Sequence, residues 1–182
     1  MEKNKQTRYM GSAGLAFAEE REMKKLSKMA AKGWLLESFA FAGFTLRRGE
    51  PQELIYCLDV QTLSADEKEE YDETFRAGGW QPVCSVENMH IFSAAPGTKP
   101  IYSDQNSLQE KYIRANVMFR RGSTIFGLLA LLGIIVSFLI GKSENTAVPY
   151  NIAWVLTSFF LALAVPCIMV YVAYQVRLRR LK

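Results

Sequence analysis

Apolar and polar positions change rhythm along the chain, and each change marks an element. In "EEREMKKLSKMAAK", residues 19–32, Met23, Leu26 and Ala30 recur at helical spacing among charged neighbours, which predicts an amphipathic helix. Gly33 follows, the residue type that most readily takes the left-handed conformation ending a helix. Trp34 opens "WLLESFAF", and "FTLRR" and "ELIYCLDV" come next. In the last, Leu54, Tyr56, Leu58 and Val60 alternate with Glu53 and Asp59, the rhythm of a half-buried strand. "AG" at 42–43 and "GEPQ" at 49–52 supply turn residues between the strands.

The same order then repeats. Ser64 and Glu67 have capping-box spacing, and Tyr71 and Phe75 mark a buried stripe one turn apart. Gly78 or Gly79 ends that helix, Trp80 opens "WQPVCSV", and "NMHIFSA" reads as its paired strand after a turn at Glu87–Asn88. Helix, Gly, Trp and antiparallel strands thus occur twice. Each indole brings a large apolar area to the junction where the chain turns back beneath its helix, so Gly33, Trp34, Gly79 and Trp80 are expected to be structural, with both tryptophans largely buried. Two helices on one face of an antiparallel sheet predict an α+β, ferredoxin-like domain over residues 1–103. Its first strand would have to come from "TRYMGSAGLAF", whose Gly and Ala make a poor strand.

Farther on the rhythm disappears. "GSTIFGLLALLGIIVSFLIG", 122–141, and "NIAWVLTSFFLALAVPCIMVYVAY", 151–174, contain no charged residue, and about 20 helical residues span the roughly 30 Å apolar core of a bilayer. Asn151, Trp154, Tyr171 and Tyr174 lie near the ends of the second run, where amphipathic side chains favour the interface. The short "KSENTAVPY" between the runs makes them an antiparallel transmembrane hairpin. Arg120 and Arg121 precede the first run, and Arg177, Arg179, Arg180 and Lys182 lie in the basic tail, 175–182. The connecting loop has only Lys142, so the positive-inside rule puts both termini in the cytoplasm.

Small residues recur every four positions at Ser123/Gly127, Gly133/Ser137/Gly141 and Ser158/Ala162, a spacing that lets helices approach closely, within the hairpin or between copies of the chain. Pro166 is expected to kink the second span. Pro96, Gly97 and Pro100 break regular structure in a linker at 96–104. Beyond it Ser107 and Glu110 repeat the capping-box spacing, predicting one helix from near Leu108 through a juxtamembrane stretch, 104–121, into the first span.

Charge sharpens this division. Residues 1–121 hold 17 basic and 17 acidic side chains, so the surplus of +4 lies wholly in 122–182. Because those basic residues flank apolar runs, they point to a membrane surface and not to nucleic acid; "YIRANVMFRR" reads the same way. Cys57, Cys84 and Cys167 form no CxxC pair and suggest a reducing compartment without a disulfide framework. "MEKNKQTRYMGSAGLAFAEE" lacks the apolar core of a signal peptide.

Candidate chemistry is sparse. His90 is the single histidine and sits in a strand beside Ile91 and Phe92, a setting more structural than catalytic. No HExxH, phosphate loop or nucleophile elbow occurs, and one histidine without paired cysteines argues against zinc. "DEKEEYDE" lies near a helix N-terminus, where acids are favourable without any bound cation. The two spans carry nothing ionisable, which argues against a self-sufficient pump. Neither catalytic residues nor a metal or other cofactor is therefore expected.

"LSKMAAKGW", "GEPQELIYCLD", "YDETFRAGGW", "HIF" and "PIYSD" occur in an order that resembles one bacterial family, Domain of Unknown Function 2812, over roughly residues 20–112. The chain departs from the family pattern in its aromatic-poor first strand and at Met89. The resemblance implies a similar architecture, with membrane helices following in several members. It also implies an association with PadR-type regulators, and hence an envelope or stress-response role, without a mechanism.

The expected function is a non-enzymatic, membrane-anchored cytoplasmic module. It binds an unknown protein partner or ligand through the open side or edge of its sheet and sits in the lipid bilayer of the cell membrane. An accessory subunit of a membrane transport complex is the second reading. An enzyme using the open sheet face, with His90 as acid or base, is the third.

Overall fold

The computed structural model of the chain describes residues 6–102, 105–140 and 147–181. Gly141, Lys142, Ser143 and Lys182, invoked above for packing and orientation, lie outside them. The elements are β1 (Thr7–Gly11), α1 (Leu15–Ala30), β2 (Trp34–Ala40), β3 (Gly43–Arg48), β4 (Ile55–Val60), α2 (Glu67–Ala77), β5 (Gln81–Val86), β6 (Met89–Ala94), α3 (Gln105–Ile140) and α4 (Ala147–Arg180). They fall into two compact units, Met1–Lys111 and Tyr112–Lys182. The compact boundary therefore comes eight residues later than the boundary at residue 103 expected from the Pro-rich linker, because the first turns of α3 group with the first unit.

The first unit is mixed helix and sheet. Its strands form two antiparallel three-stranded sheets, ordered β1-β3-β2 and β4-β6-β5. The ferredoxin-like expectation of one shared sheet differs from this arrangement. The described strands make the same strand–helix–strand–strand unit twice, each time with the last strand at the centre. The connection after β3 accounts for the separation. Gly49 N–H donates to the Gly33 carbonyl at 3.0 Å and Gln52 N–H to the Ala30 carbonyl at 3.0 Å, so "GEPQ" is fastened over the end of α1 and β4 starts a new sheet.

The unpromising first strand does form. β1 pairs with β3 from Thr7↔Arg47 to Gly11↔Gly43; cross-strand pairing outweighs a weak local propensity. The duplication extends to irregularities. β2 breaks register between Leu36 and Ser38, and β5 between Pro82 and Cys84. Both bulges lie two to four residues after the tryptophan of their unit. Pro82, which has no N–H to donate, sits on an edge strand, where that loss costs no ladder bond.

One core joins Met23, Leu26 and Ala30 of α1 to Leu36, Phe44, Leu46, Tyr56, Leu58 and Ile91 from the strands. A second joins Trp80, Phe92 and Ala94 to Tyr71 and Phe75 of α2. The β4–β6 pair lies between them. Leu58↔Ile91 belongs to the α1 core, whereas Cys57↔Phe92, Ile55↔Ala94 and Asp59↔His90 lie on the opposite, α2 side. The half-buried strand expected at 53–60 is thus covered on both faces, and Asp59 is buried instead of solvated.

The second unit comprises most of α3 and all of α4. Both helices are long and apolar enough to cross a membrane, each with a mean hydropathy of 2.3 over its best window. Gly133 lies directly against Thr157. Ser137 and Thr157 are buried there, each returning its hydroxyl to the carbonyl four residues back, at 2.8 and 2.7 Å. Gly127 has open space where a Cβ would be, whereas Gly122 lies against Cys167 of α4, so close approach within the helix pair is made at Gly133 and Gly122 and not at Gly127. Tyr112 and Phe119 of α3 pack on Tyr174 of α4, with the Arg177 guanidinium 5.3 Å from the Tyr112 ring centroid. Pro166 lies inside α4.

Candidate functional site

The two Gly–Trp junctions share a backbone and differ in their surroundings. Gly33 and Gly79 have φ of 76° and 82°, a region in which a Cβ is strained. At Gly33 a Cβ would also come within 2.6 Å of the Gly49 carbonyl, and at Gly79 within 3.3 Å of the Thr98 methyl. Trp80 is buried. Its Nε1–H donates to the Lys99 carbonyl at 3.0 Å, and Ile101 packs against the same cluster, so the segment after β6 closes over it.

Trp34 is only half-buried. The Arg8 and Arg48 guanidiniums stand 5.8 and 5.3 Å from its ring centroid, within cation–π range. Thr7, Arg8, Tyr9 and Trp34 line an open cleft of about 590 Å³. The Tyr9 hydroxyl lies 3.0 Å from the Phe41 and Ala42 carbonyls, at the turn between β2 and β3. The expectation that both tryptophans are largely buried therefore holds for Trp80 and not for Trp34. No segment corresponding to 96–101 lies over Trp34 among the described residues.

A buried polar cluster occupies the α2 side of the second sheet. Asp59 accepts from Tyr71 Oη at 2.5 Å, from its neighbour Val60 N–H at 2.6 Å, and from the Tyr102 hydroxyl. Several donors on one buried carboxylate satisfy its acceptor sites. His90 stands opposite Asp59 in register. Its Nε2 lies 2.9 Å from the Gln61 carbonyl, which can only accept, so Nε2 carries the proton. Nδ1, 2.9 Å from Ser85 Oγ, then accepts in the neutral ring. The Tyr71 ring packs on His90 and on Phe92, and Phe75 stacks on Phe92 at 4.1 Å. At the edge of the cluster Lys111 is ion-paired with Glu19 and stands 4.9 Å from the Tyr102 ring centroid. Burial pushes the Cys57 thiol up to about 11 and that of Cys84 up to about 12, so neither is a ready nucleophile near neutral pH.

Sequence reading singled out His90 and the acidic helix but missed Asp59, Tyr102, Lys111, Arg8 and Arg48. The apolar neighbours of Asp59 were the available signal. Tyr102 stands in the linker and in the family stretch "PIYSD" without a role of its own, and its partner lies 43 positions away. In the acidic helix, Ser64 N–H and Oγ–H both donate to Glu67 Oε2, at 2.9 and 2.8 Å, holding its carboxyl below the usual range. Among the described residues no group of three or more metal-ligating side chains gathers. The orientation arginines Arg120 and Arg121 lie on α3, and Arg177, Arg179 and Arg180 on the last turn of α4.

No curated protein and no solved structure matches the chain. The family model described as a protein of unknown function, DUF2812, matches residues 18–121, a span that includes both Gly–Trp junctions, the Asp59–His90 cluster and the first half of α3. The chain belongs to the DUF2812 family.

Proposed function

We propose that the protein is a membrane-anchored module whose first unit binds a ligand or partner in the cytoplasm while α3 and α4 cross the bilayer as a hairpin. The observation that carries this reading is α3 itself. One helix, Gln105–Ile140, contains Arg120 and Arg121 and the first apolar run as far as Ile140; it starts before Ser107, so Ser107 and Glu110 lie inside it and not at its cap. Gly122 lowers helix propensity by only about 1 kcal/mol relative to Ala, and no proline interrupts the helix. Arg120 and Arg121 before the first run and the arginines at the end of α4, against Lys142 alone in the connecting loop, support cytoplasmic termini.

A binding role is favoured over catalysis because both ring nitrogens of His90 are hydrogen-bonded and the ring is buried. A general base needs access to the proton that it removes. The test is extraction and labelling. In a chain whose native cysteines are replaced by serine, the protein should stay in the membrane pellet after alkaline carbonate. A cysteine at position 143 should react with an impermeant thiol reagent on intact cells. Release into the supernatant would refute the anchor, and labelling at 182 but not at 143 would reverse the orientation.

A further inference from the structure

We infer that the cleft beside Trp34 is a binding site for a small organic anion carrying a planar ring. The inference deepens the binding role just proposed by naming its site and ligand class. It starts from the duplication. Two copies of one fold place a tryptophan directly after a positive-φ glycine, yet the described residues close over only one of them. Over Trp80 lies the 96–101 segment, which takes the indole N–H and packs Ile101 against the cluster. Beside Trp34 the described residues leave an open cleft with a volume of about 590 Å³, inside the range of small-molecule sites.

The lining sets the chemistry. Arg8 and Arg48 both converge on the indole, and among the described residues no salt bridge joins either one to a carboxylate. Arg48 donates one N–H to the Lys32 carbonyl at 3.3 Å, leaving the rest of its planar fork for an anion. Two guanidiniums with capacity for a bidentate contact suit a carboxylate or phosphate. The indole edge offers flat apolar surface for the remainder of the ligand. A purely apolar guest would gain nothing from either guanidinium, and a bare inorganic anion would gain nothing from the indole.

Phenyl phosphate carries both features and serves as the probe. The full chain, purified in mild detergent and labelled with 5-fluorotryptophan, gives separate ¹⁹F signals for Trp34, Trp80 and Trp154, assigned by single Phe substitutions. Titration should move the Trp34 signal saturably and leave the other two in place. Benzyl alcohol, which has the ring without the charge, and inorganic phosphate, which has the charge without the ring, should each bind at least about tenfold more weakly. Arg8→Gln and Arg48→Gln should each weaken phenyl phosphate by about tenfold or more, the loss expected for a charge-assisted contact, with an unmoved Trp80 signal reporting an intact fold. The inference is overturned by an unresponsive Trp34 signal, by arginine variants that bind as the parent does, or by either half-probe matching phenyl phosphate. None of these outcomes touches the membrane anchor, which extraction tests separately.

Discussion

Two copies of one strand–helix–strand–strand unit, 46 residues apart at their tryptophans, have diverged in what lies over the indole. In the second copy α2 brings Tyr71 and Phe75 onto Phe92, and the following segment covers Trp80. In the first copy α1 packs into the main core with Met23, Leu26 and Ala30, and Trp34 remains half open between two arginines. The glycines, the positive φ and the position of the bulge are common to both. A shared backbone device therefore serves closure in one copy and leaves a lined cleft in the other. The difference resides in which later segment returns to the junction, not in the junction itself.

The largest expected effect separates the tryptophans directly. Trp80→Ala should destabilise the protein by about 3–5 kcal/mol in urea unfolding, as for other large-to-small core changes. Trp34→Ala, which removes a half-exposed ring, should cost only about 1–2 kcal/mol. Equal costs would break the comparison. Next is the polar cluster of the second copy. Asp59→Ala leaves the Tyr71 and Tyr102 hydroxyls without their carboxylate and should cost about 2–4 kcal/mol, while Asp59→Asn, which keeps an acceptor, should cost less; the same unfolding curves decide it.

The glycines rank by crowding. Gly33→Ala meets a backbone carbonyl and Gly79→Ala only a methyl, so both should lose stability through positive-φ strain, by about 1–3 kcal/mol, with Gly33 the more costly. A reversed order in thermal melts would place the tighter junction in the second copy.

Near neutral pH the smallest effect is the onset of an alkaline dependence carried by the second copy. Burial raises the Cys57 and Cys84 thiols to about 11 and 12, above the roughly 8.5 of an unfolded cysteine. The folded state therefore holds those protons more tightly. Their contribution is complete below about pH 8.5 and declines from there toward pH 11–12. Replacing both thiols with alanine should flatten that part of the stability profile, and an unchanged slope would assign it to other groups.

Much of the architecture was legible because it rests on local signals. Glycine before tryptophan marks a helix stop and a strand start wherever it occurs, and two uncharged runs of span length need no partner to be recognised. Asp59 was misread because alternation reports one covered face, and here α1 and α2 cover both faces of the β4–β6 pair. Two sheets in place of one depended on the path of four turn residues, Gly49–Gln52, across the end of α1. Tyr102 and Lys111 gained their roles from Asp59 and Glu19, partners 43 and 92 positions away. The openness of Trp34 was hidden for a related reason: it depends on the path of the segment after the third strand, which in the second copy takes the indole N–H of Trp80 and in the first is fastened to Gly33 and Ala30.

Solvent access to the two indoles tests the central claim most directly. With 5-fluorotryptophan in the full chain, a neutral gadolinium chelate should broaden the Trp34 ¹⁹F signal strongly and leave Trp80 sharp. Equal protection of both signals, or a Trp80 signal broadened as much as that of Trp34, would contradict one closed copy and one open copy.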